Sequence, residues 1–292
     1  MADDDKRPMR SAIDFYERHP ISREIIMARL QASRGNLDGL GPEDLYPHDQ
    51  DHYGGLAVND RLAAVAGIGP RSGDCVENGV EVVDFCAGLG GPSRYYAHTL
   101  GAAQVTGIEL TGSRVEGANA LTRLVGLEAR VRTLQGDVMA VPLADACCDA
   151  VVSQEGFLHV PDKAKALAEA YRILRPGGRV ALTDWIAHEP LSDADAKLMW
   201  DGMAVTRLYD LEAYQDLLKA AGFEVIHVED LTEEWAPILQ QRLAMFQAMR
   251  AETIAAGTPA GYDAFYESYV RFVTLISDAR LGGIRLGGRK PD

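Results

Sequence analysis

Apolar positions recur along this chain with two different periods, and the changes of period mark the elements. Between residues 11 and 33, Ile13, Tyr16, Ile21, Ile25, Ile26 and Leu30 fall near helical spacing, interrupted at His19-Pro20, so two short helices are expected. Residues 36–55 lose the pattern; their polar, glycine- and aspartate-rich sequence predicts an irregular segment with a functional or mobile role. A helix resumes over 59–68, and a loop over 67–79 leads to Val80, Val82 and Val83, a β-branched run that reads as a strand ending at Asp84. Further strands are expected at 103–110, 130–134, 149–154 and 179–184. Helices are expected at 111–124, with Thr111 or Ser113 as its cap, and at 162–174, where Pro176-Gly177-Gly178 stops the winding.

After Trp185 the alternation loosens. Helices are expected at 192–198 and 211–220 and a strand at 223–230, followed by two amphipathic runs at 234–256 and 262–277. Trp235, Leu239, Leu243 and Phe246 in the first, and Phe265, Tyr269, Phe272 and Ile276 in the second, read first as core. A substrate pocket or an oligomer face is the alternative. The tail 281–289 reads as a closing strand with glycine bends, and no internal repeat is visible.

Composition then narrows the class. With 292 residues, 47% apolar and 25% charged, the chain suits one large α/β domain with additions. Its 43 acidic against 29 basic residues give a net charge of −14, and no Lys/Arg run offsets it. Such a surface repels phosphate backbones, so nucleic acid is excluded as a partner and a small molecule is favoured. Cys75, Cys86, Cys147 and Cys148 lack metal-ligand spacing, and a vicinal pair suits a structural disulfide poorly. The first residues lack the apolar core of a signal peptide, and no run of ~18 apolar residues occurs, so a cytoplasmic protein without a membrane span is expected.

The stretch from Asp84 to Ser93 carries the chemistry. Gly88, Gly90 and Gly91 follow the first strand and Pro92 starts a helix, giving strand, glycine loop and helix N-terminus. A loop without side chains lets a ligand lie against the main chain, although dinucleotides, phosphates and S-adenosylmethionine all use such loops. Glu109, at the end of the second strand, stands where an acid meets a ribose diol; Asp137 and Gln154-Glu155 follow at successive strand ends, where an open parallel sheet keeps its ligand crevice.

With these residues in hand, the chain resembles the class I S-adenosylmethionine-dependent methyltransferases. Asp84-Phe-Cys-Ala-Gly88-Leu-Gly90-Gly91 is similar to their first motif, Glu109 to the ribose acid, and Gly136-Asp137-Val138 to the adenine-contacting pair. Leu158-His-Val-Pro-Asp162 and the segment ending in Pro176-Gly177-Gly178 resemble the parts flanking their fourth and fifth strands, so residues 80–185 are covered. Gly-Leu-Gly-Gly-Pro-Ser-Arg94 and Ser153-Gln-Glu-Gly-Phe-Leu-His159 are closest to the sarcosine/dimethylglycine, tocopherol and sterol or quinone small-molecule enzymes. The resemblance implies a Rossmann-like sheet of seven strands, mostly parallel, with helices on both faces. To this it adds an N-terminal helical lid (1–60), a cofactor-binding core (61–232), and a helical insertion with a closing strand (233–292) as substrate cap.

It also implies roles. Asp84, Cys86, Ala87, Gly88, Gly90, Glu109, Leu110, Asp137, Val138, Gln154 and Tyr53 would hold S-adenosyl-L-methionine. Cys86 replaces the first glycine of the usual loop, and an ordinary negative φ with a slightly wider turn is expected there. Glu155 and His159, just past the fourth strand, are the candidate bases and substrate contacts; a surface carboxylate and a packed histidine are the plainer alternatives. His52 and Tyr46 would reach the substrate from a lid over the cofactor, a reading preferred to a metal site at His48 to His52. Arg94 would meet the cofactor carboxylate or stabilise its own helix, Asp184 and Trp185 would line the acceptor side, and Arg280, Arg285 and Arg289 would attract a carboxylated substrate.

The expected activity is methylation of a small molecule, with an amine or amino acid nitrogen ahead of carbon or oxygen on a natural-product, prenyl or phenolic acceptor. A nicotinamide-dependent oxidoreductase is the rival, but it would want a glycine where Ser93 stands. A non-catalytic binding protein on the same fold is the second rival. The two C-terminal amphipathic runs leave room for a homo-oligomer.

Overall fold

A computed structural model describes residues 7–17, 19, 21–69, 79–255 and 262–292. The expectations for residues 1–6, for the break at Pro20 and for the loop 70–78 with Cys75 lie outside the described residues. Four helices come first: α1 (Arg7–Glu17), α2 (Arg23–Arg34), α3 (Pro42–Asp49) and α4 (Leu56–Ala66). Then β1 (Glu81–Phe85), α5 (Gly91–His98), β2 (Gln104–Glu109), α6 (Gly112–Leu124), β3 (Val131–Gln135) and β4 (Cys148–Gln154) alternate. A 3-10 turn, Phe157–His159, precedes α7 (Lys163–Ile173), β5 (Leu174–Ala187), α8 (Asp193–Met203), α9 (Leu211–Ala220) and β6 (Glu224–Asp230). The chain closes with α10 (Thr232–Ala255), α11 (Tyr262–Ser277) and β7 (Leu281–Arg289).

The sheet order is β3-β2-β1-β4-β5-β7-β6, with β7 antiparallel to both neighbours and every other pairing parallel. The sheet is buried on both faces, as parallel strands require. Along β1, Val82 joins the core beneath the N-terminal helices while Val83 and Phe85 join the opposite core beneath α7 and α9. A third core, around Trp185, Trp235, Tyr269 and Phe272, packs α8, α10 and α11 beyond the sheet. The winding reverses between β1 and β4, and the carboxyl ends of those strands are where such a sheet leaves a crevice.

Three expectations change. Residues 42–49 form a helix within the stretch read as irregular, because tertiary contacts described below hold it. The boundary drawn at residue 60 falls inside α4. The glycines of β7 do not bend the strand: it pairs with β5 at every position from Leu281 to Arg289. A Cβ at Gly283 would lie 2.5 Å from the Trp235 ring, so bare backbone here lets the start of α10 pack against the sheet.

Candidate active site

A cavity of about 420 Å³ opens beyond the carboxyl ends of β1 to β4. Its floor is the strand tips at Cys86, Glu109, Asp137 and Gln154; α1 and the segment after α3 cover it, and α10 and α11 supply the far wall.

At the tip of β1 the backbone departs from expectation. Cys86 has φ 58°, so the position does take the left-handed conformation that the family's glycine would suit. Glu155, just past the end of β4, has φ 51°. Room for the Cys86 side chain comes from Gly156, where an added Cβ would lie 2.4 Å from the Cys86 Cβ. Gly88 has φ 55° and lines the cavity. Gly90 has φ 75° but faces away: a Cβ there would sit 3.0 Å from the Arg94 guanidinium, so Gly90 shapes the loop without lining the site. Ser93, on the first turn of α5, donates to Asp84 at 2.5 Å. Burial pushes the Asp84 carboxyl up to about 7; the Ser93 hydroxyl opposes that rise and the Glu109 charge adds to it.

Glu109 is buried, and its two oxygens accept the Gly88 amide at 2.9 Å and the Thr111 amide at 2.8 Å. The carboxylate thus ties the glycine loop to the start of α6, and each oxygen keeps a further lone pair. Leu110, Asp137, Val138 and Met139 line the same end, with the Met139 amide donating 2.8 Å to Asp137. At the tip of β4, Gln154 accepts from the Tyr96 hydroxyl at 3.1 Å while its amide nitrogen is buried without a partner. Side-chain-free backbone at Gly88, a carboxylate at the end of β2 and an unsatisfied amide donor at the end of β4 fit a nucleoside carrying an amino-acid tail.

The segment around α3, next to the cavity, is fixed by charge. Arg94 and Asp49 pair at 2.8 Å with both side chains fully buried, and Arg94 also donates to the Ala118 carbonyl and Thr122 hydroxyl of α6. Arg94 therefore holds α3 to α5 and α6, and it is not among the cavity-lining residues. Gly91 permits the contact, since a Cβ there would meet the Asp49 carbonyl at 2.1 Å. Tyr46 is also corrected: its hydroxyl bonds Thr99 at 3.0 Å, its ring packs edge-on against Tyr95, and it lies outside the cavity lining. His52 and Tyr53 do line the cavity. His52 bonds Gln50 at 2.9 Å, and burial holds its pKa down to about 4.

Beyond β4, Glu155 accepts the Tyr53 amide with both oxygens at 3.1 Å, and burial pushes its pKa up to about 8 against the pull of that amide and of Arg242. His159 bridges the cavity. Its Nδ1 donates to the Ala204 carbonyl at 3.2 Å, so in the neutral ring Nε2 carries the lone pair, and Tyr16 of α1 donates its hydroxyl there at 2.9 Å. Burial lowers the imidazole to about 4. A buried polar frame holds this turn. Lys163 donates to the carbonyls of Val160 at 3.2 Å and Arg207 at 2.9 Å, and the Thr206 hydroxyl donates to that of Leu158 at 2.7 Å. Asp184 accepts the Leu158 amide at 2.9 Å and the Tyr214 hydroxyl, so it supports the turn from behind and is not among the cavity-lining residues. Trp185 does line the cavity, stacked on Phe272 at 3.6 Å.

Several cavity residues carried no site signal in the sequence: Phe15 of α1, Arg114 of α6, Met203 of α8 and Arg242 of α10, and also Tyr16 of α1, which read only as a position of helical period. Phe246, Phe265 and Tyr269 carried a signal, aromatic residues at helical spacing, but that pattern equally describes plain core. Arg280, Arg285 and Arg289 are each paired with an acid, Glu189, Glu229 and Asp292 respectively, and none lines the cavity.

A family model described as a methyltransferase domain matches residues 83–182. The 27-O-demethylrifamycin SV methyltransferase of Amycolatopsis mediterranei is 31% identical over 238 residues, covering 80% of this chain and 83% of that protein. The chain belongs to the S-adenosylmethionine-dependent methyltransferases. Among solved structures, phosphoethanolamine N-methyltransferase 2 of Haemonchus contortus, in complex with phosphomonomethylethanolamine and S-adenosylhomocysteine, superposes with a TM-score of 0.70 at 22% identity, over 93% of this chain and 61% of that one. A geranyl diphosphate methyltransferase in complex with GPP and sinefungin gives a TM-score of 0.70 at 17% identity, over 97% and 99%. These likenesses extend the shared fold over nearly the whole chain. This methyltransferase therefore uses S-adenosylmethionine, and its acceptor is a small molecule.

Proposed function

We propose that this methyltransferase transfers the methyl group to a hydroxyl oxygen of a largely apolar small molecule. The carrying observation is the His159 tautomer: with Nδ1–H committed to the Ala204 carbonyl, Nε2 offers its lone pair where the Tyr16 hydroxyl already donates to it, and an acceptor hydroxyl can take that hydrogen bond instead. When bound, S-adenosylmethionine supplies an electrophilic methyl whose thioether leaving group departs neutral. Glu109 and the Gly88 backbone would hold its ribose and amino-acid ends and Val138 and Met139 its base, and α1 with residues 50–53 would limit the access of water to them. His159 then takes the proton from the acceptor oxygen as that oxygen becomes nucleophilic.

The acceptor side is lined by Phe15, Leu158, Met203, Phe246 and Phe265. An ammonium acceptor would want a free ionised carboxylate there, yet Glu155 is committed to the Tyr53 amide and raised to about 8, and Asp51 already faces His19 and Arg114 at 3.7 Å each. The relative covered over 83% of its length, by its name, methylates an O-demethylated rifamycin, which supports oxygen over nitrogen. The test measures labelled methyl transfer from S-adenosylmethionine to naphthols and to dimethylglycine. Transfer to the naphthols, with kcat lowered ~10²–10⁴-fold in His159→Gln while S-adenosylhomocysteine affinity is retained, is the expected outcome. The acid limb of kcat/KM should fall near pH 4, not at 6.5, because burial keeps the imidazole neutral. Transfer to dimethylglycine alone, or a His159→Gln enzyme of full activity, would overturn the proposal.

A further inference from the structure

We infer that Arg242 and Tyr269, on the two cap helices, form an anion subsite for the acceptor, so that the molecule methylated carries an oxygen anion such as a carboxylate away from its reacting hydroxyl. This deepens the hydroxyl reading above and rests on it. Arg242 lines the cavity from α10 with its guanidinium 4.8 Å above the Tyr53 ring, and donates one hydrogen bond, at 3.0 Å, to the His52 carbonyl. Among the described residues, no carboxylate lies within ion-pair distance (4.0 Å) of this guanidinium. In a chain with 43 acidic residues, a cation lining the cavity without such a partner is set apart from Arg94 and Arg285, whose carboxylates are bound. Two acids of the cavity feel this charge: Glu155, which is taken by the Tyr53 amide and raised to about 8, and Asp51, which faces His19 and Arg114 at 3.7 Å each.

The surroundings lack acceptors for the donors they hold. The Trp185 indole N–H is buried without a partner, and the Tyr269 hydroxyl, beside the Arg242 guanidinium, has no acceptor for its own proton; both residues line the same cavity. The Arg242 charge acts directly on Tyr269, lowering a phenol that burial has raised. An indole N–H and a guanidinium can only donate, and a buried donor left unmatched is costly, so an incoming oxygen anion gains from all of them. A guanidinium held over an aromatic ring keeps its fork of N–H donors, which can meet a carboxylate through two parallel hydrogen bonds.

The source of the anion is distinguishable, since the cofactor also carries a carboxylate. Protein saturated with S-adenosylhomocysteine is titrated calorimetrically with 6-hydroxy-2-naphthoate and with its methyl ester. The acid should bind at least ~10-fold tighter, about 1.4 kcal/mol; Arg242→Gln should erase the preference, Arg242→Lys retain part of it and Tyr269→Phe weaken it, with S-adenosylhomocysteine affinity unchanged throughout. Equal binding of acid and ester, binding of neither, or a preference that survives Arg242→Gln would overturn the inference. So would a loss confined to S-adenosylhomocysteine affinity, which would assign the cation to the cofactor. Because these are binding measurements, an acid preference without methyl transfer to any hydroxyl would leave the subsite standing and remove the oxygen reading alone.

Discussion

A non-glycine side chain at positive φ is costly, about 1–2 kcal/mol, and it persists where its surroundings are shaped for it. Cys86 meets that condition through Gly156, whose own φ of −112° would suit any residue. Gly156 is thus glycine for space alone, and Gly156→Ala should destabilise the protein by ~2–3 kcal/mol through the 2.4 Å overlap with the Cys86 Cβ. Cys86→Gly removes the obstacle, so the alanine should cost less than ~1 kcal/mol in that background. Urea unfolding of the four proteins gives the coupling directly, and strictly additive effects would refute the contact. The motif showed where the loop would be, but the backbone angle at its odd residue depended on a glycine 70 positions away, which no local pattern carries.

At the scale of elements, α3 is the instructive case. Its sequence Pro42–Asp49 has little apolar periodicity and an internal proline, so helix could not be read from it. What holds it is the buried Arg94–Asp49 pair and the close approach at Gly91. Removing one partner of a buried pair leaves an uncompensated charge, so Asp49→Ala should cost ~3–5 kcal/mol, and Arg94→Leu with Asp49→Leu should recover much of it. Chemical denaturation checks both; a loss below ~1 kcal/mol for the single change would mean that the pair is not what anchors α3. The strands were legible for the opposite reason: β1, β2 and β4 are short apolar runs bounded by glycine or acid, and their burial follows from the residues themselves. The two closing helices were legible as helices, but whether Phe246 or Tyr269 met core or cavity depended on packing between distant segments.

Seen whole, the molecule assembles one cavity from both ends of the chain. The sheet supplies a floor whose chemistry lies in consecutive strand ends, which is why Glu109, Asp137 and Gln154 could be named in order from sequence. The roof joins Tyr16 to His159 across 143 positions, and β7, inserted antiparallel between β5 and β6, follows directly on α10 and α11, which carry Arg242 and Tyr269 to the far wall. Those side chains look like ordinary amphipathic positions until the fold is closed. The central claim is that the adenosyl cofactor lies along the strand tips with its ribose on Glu109. Titration of wild type and Glu109→Ala with S-adenosylhomocysteine, with folding checked by circular dichroism, tests it most directly. Affinity at least ~10-fold weaker in the variant, about 1.4 kcal/mol, is the expected result, and an unchanged affinity in a folded variant would contradict the account.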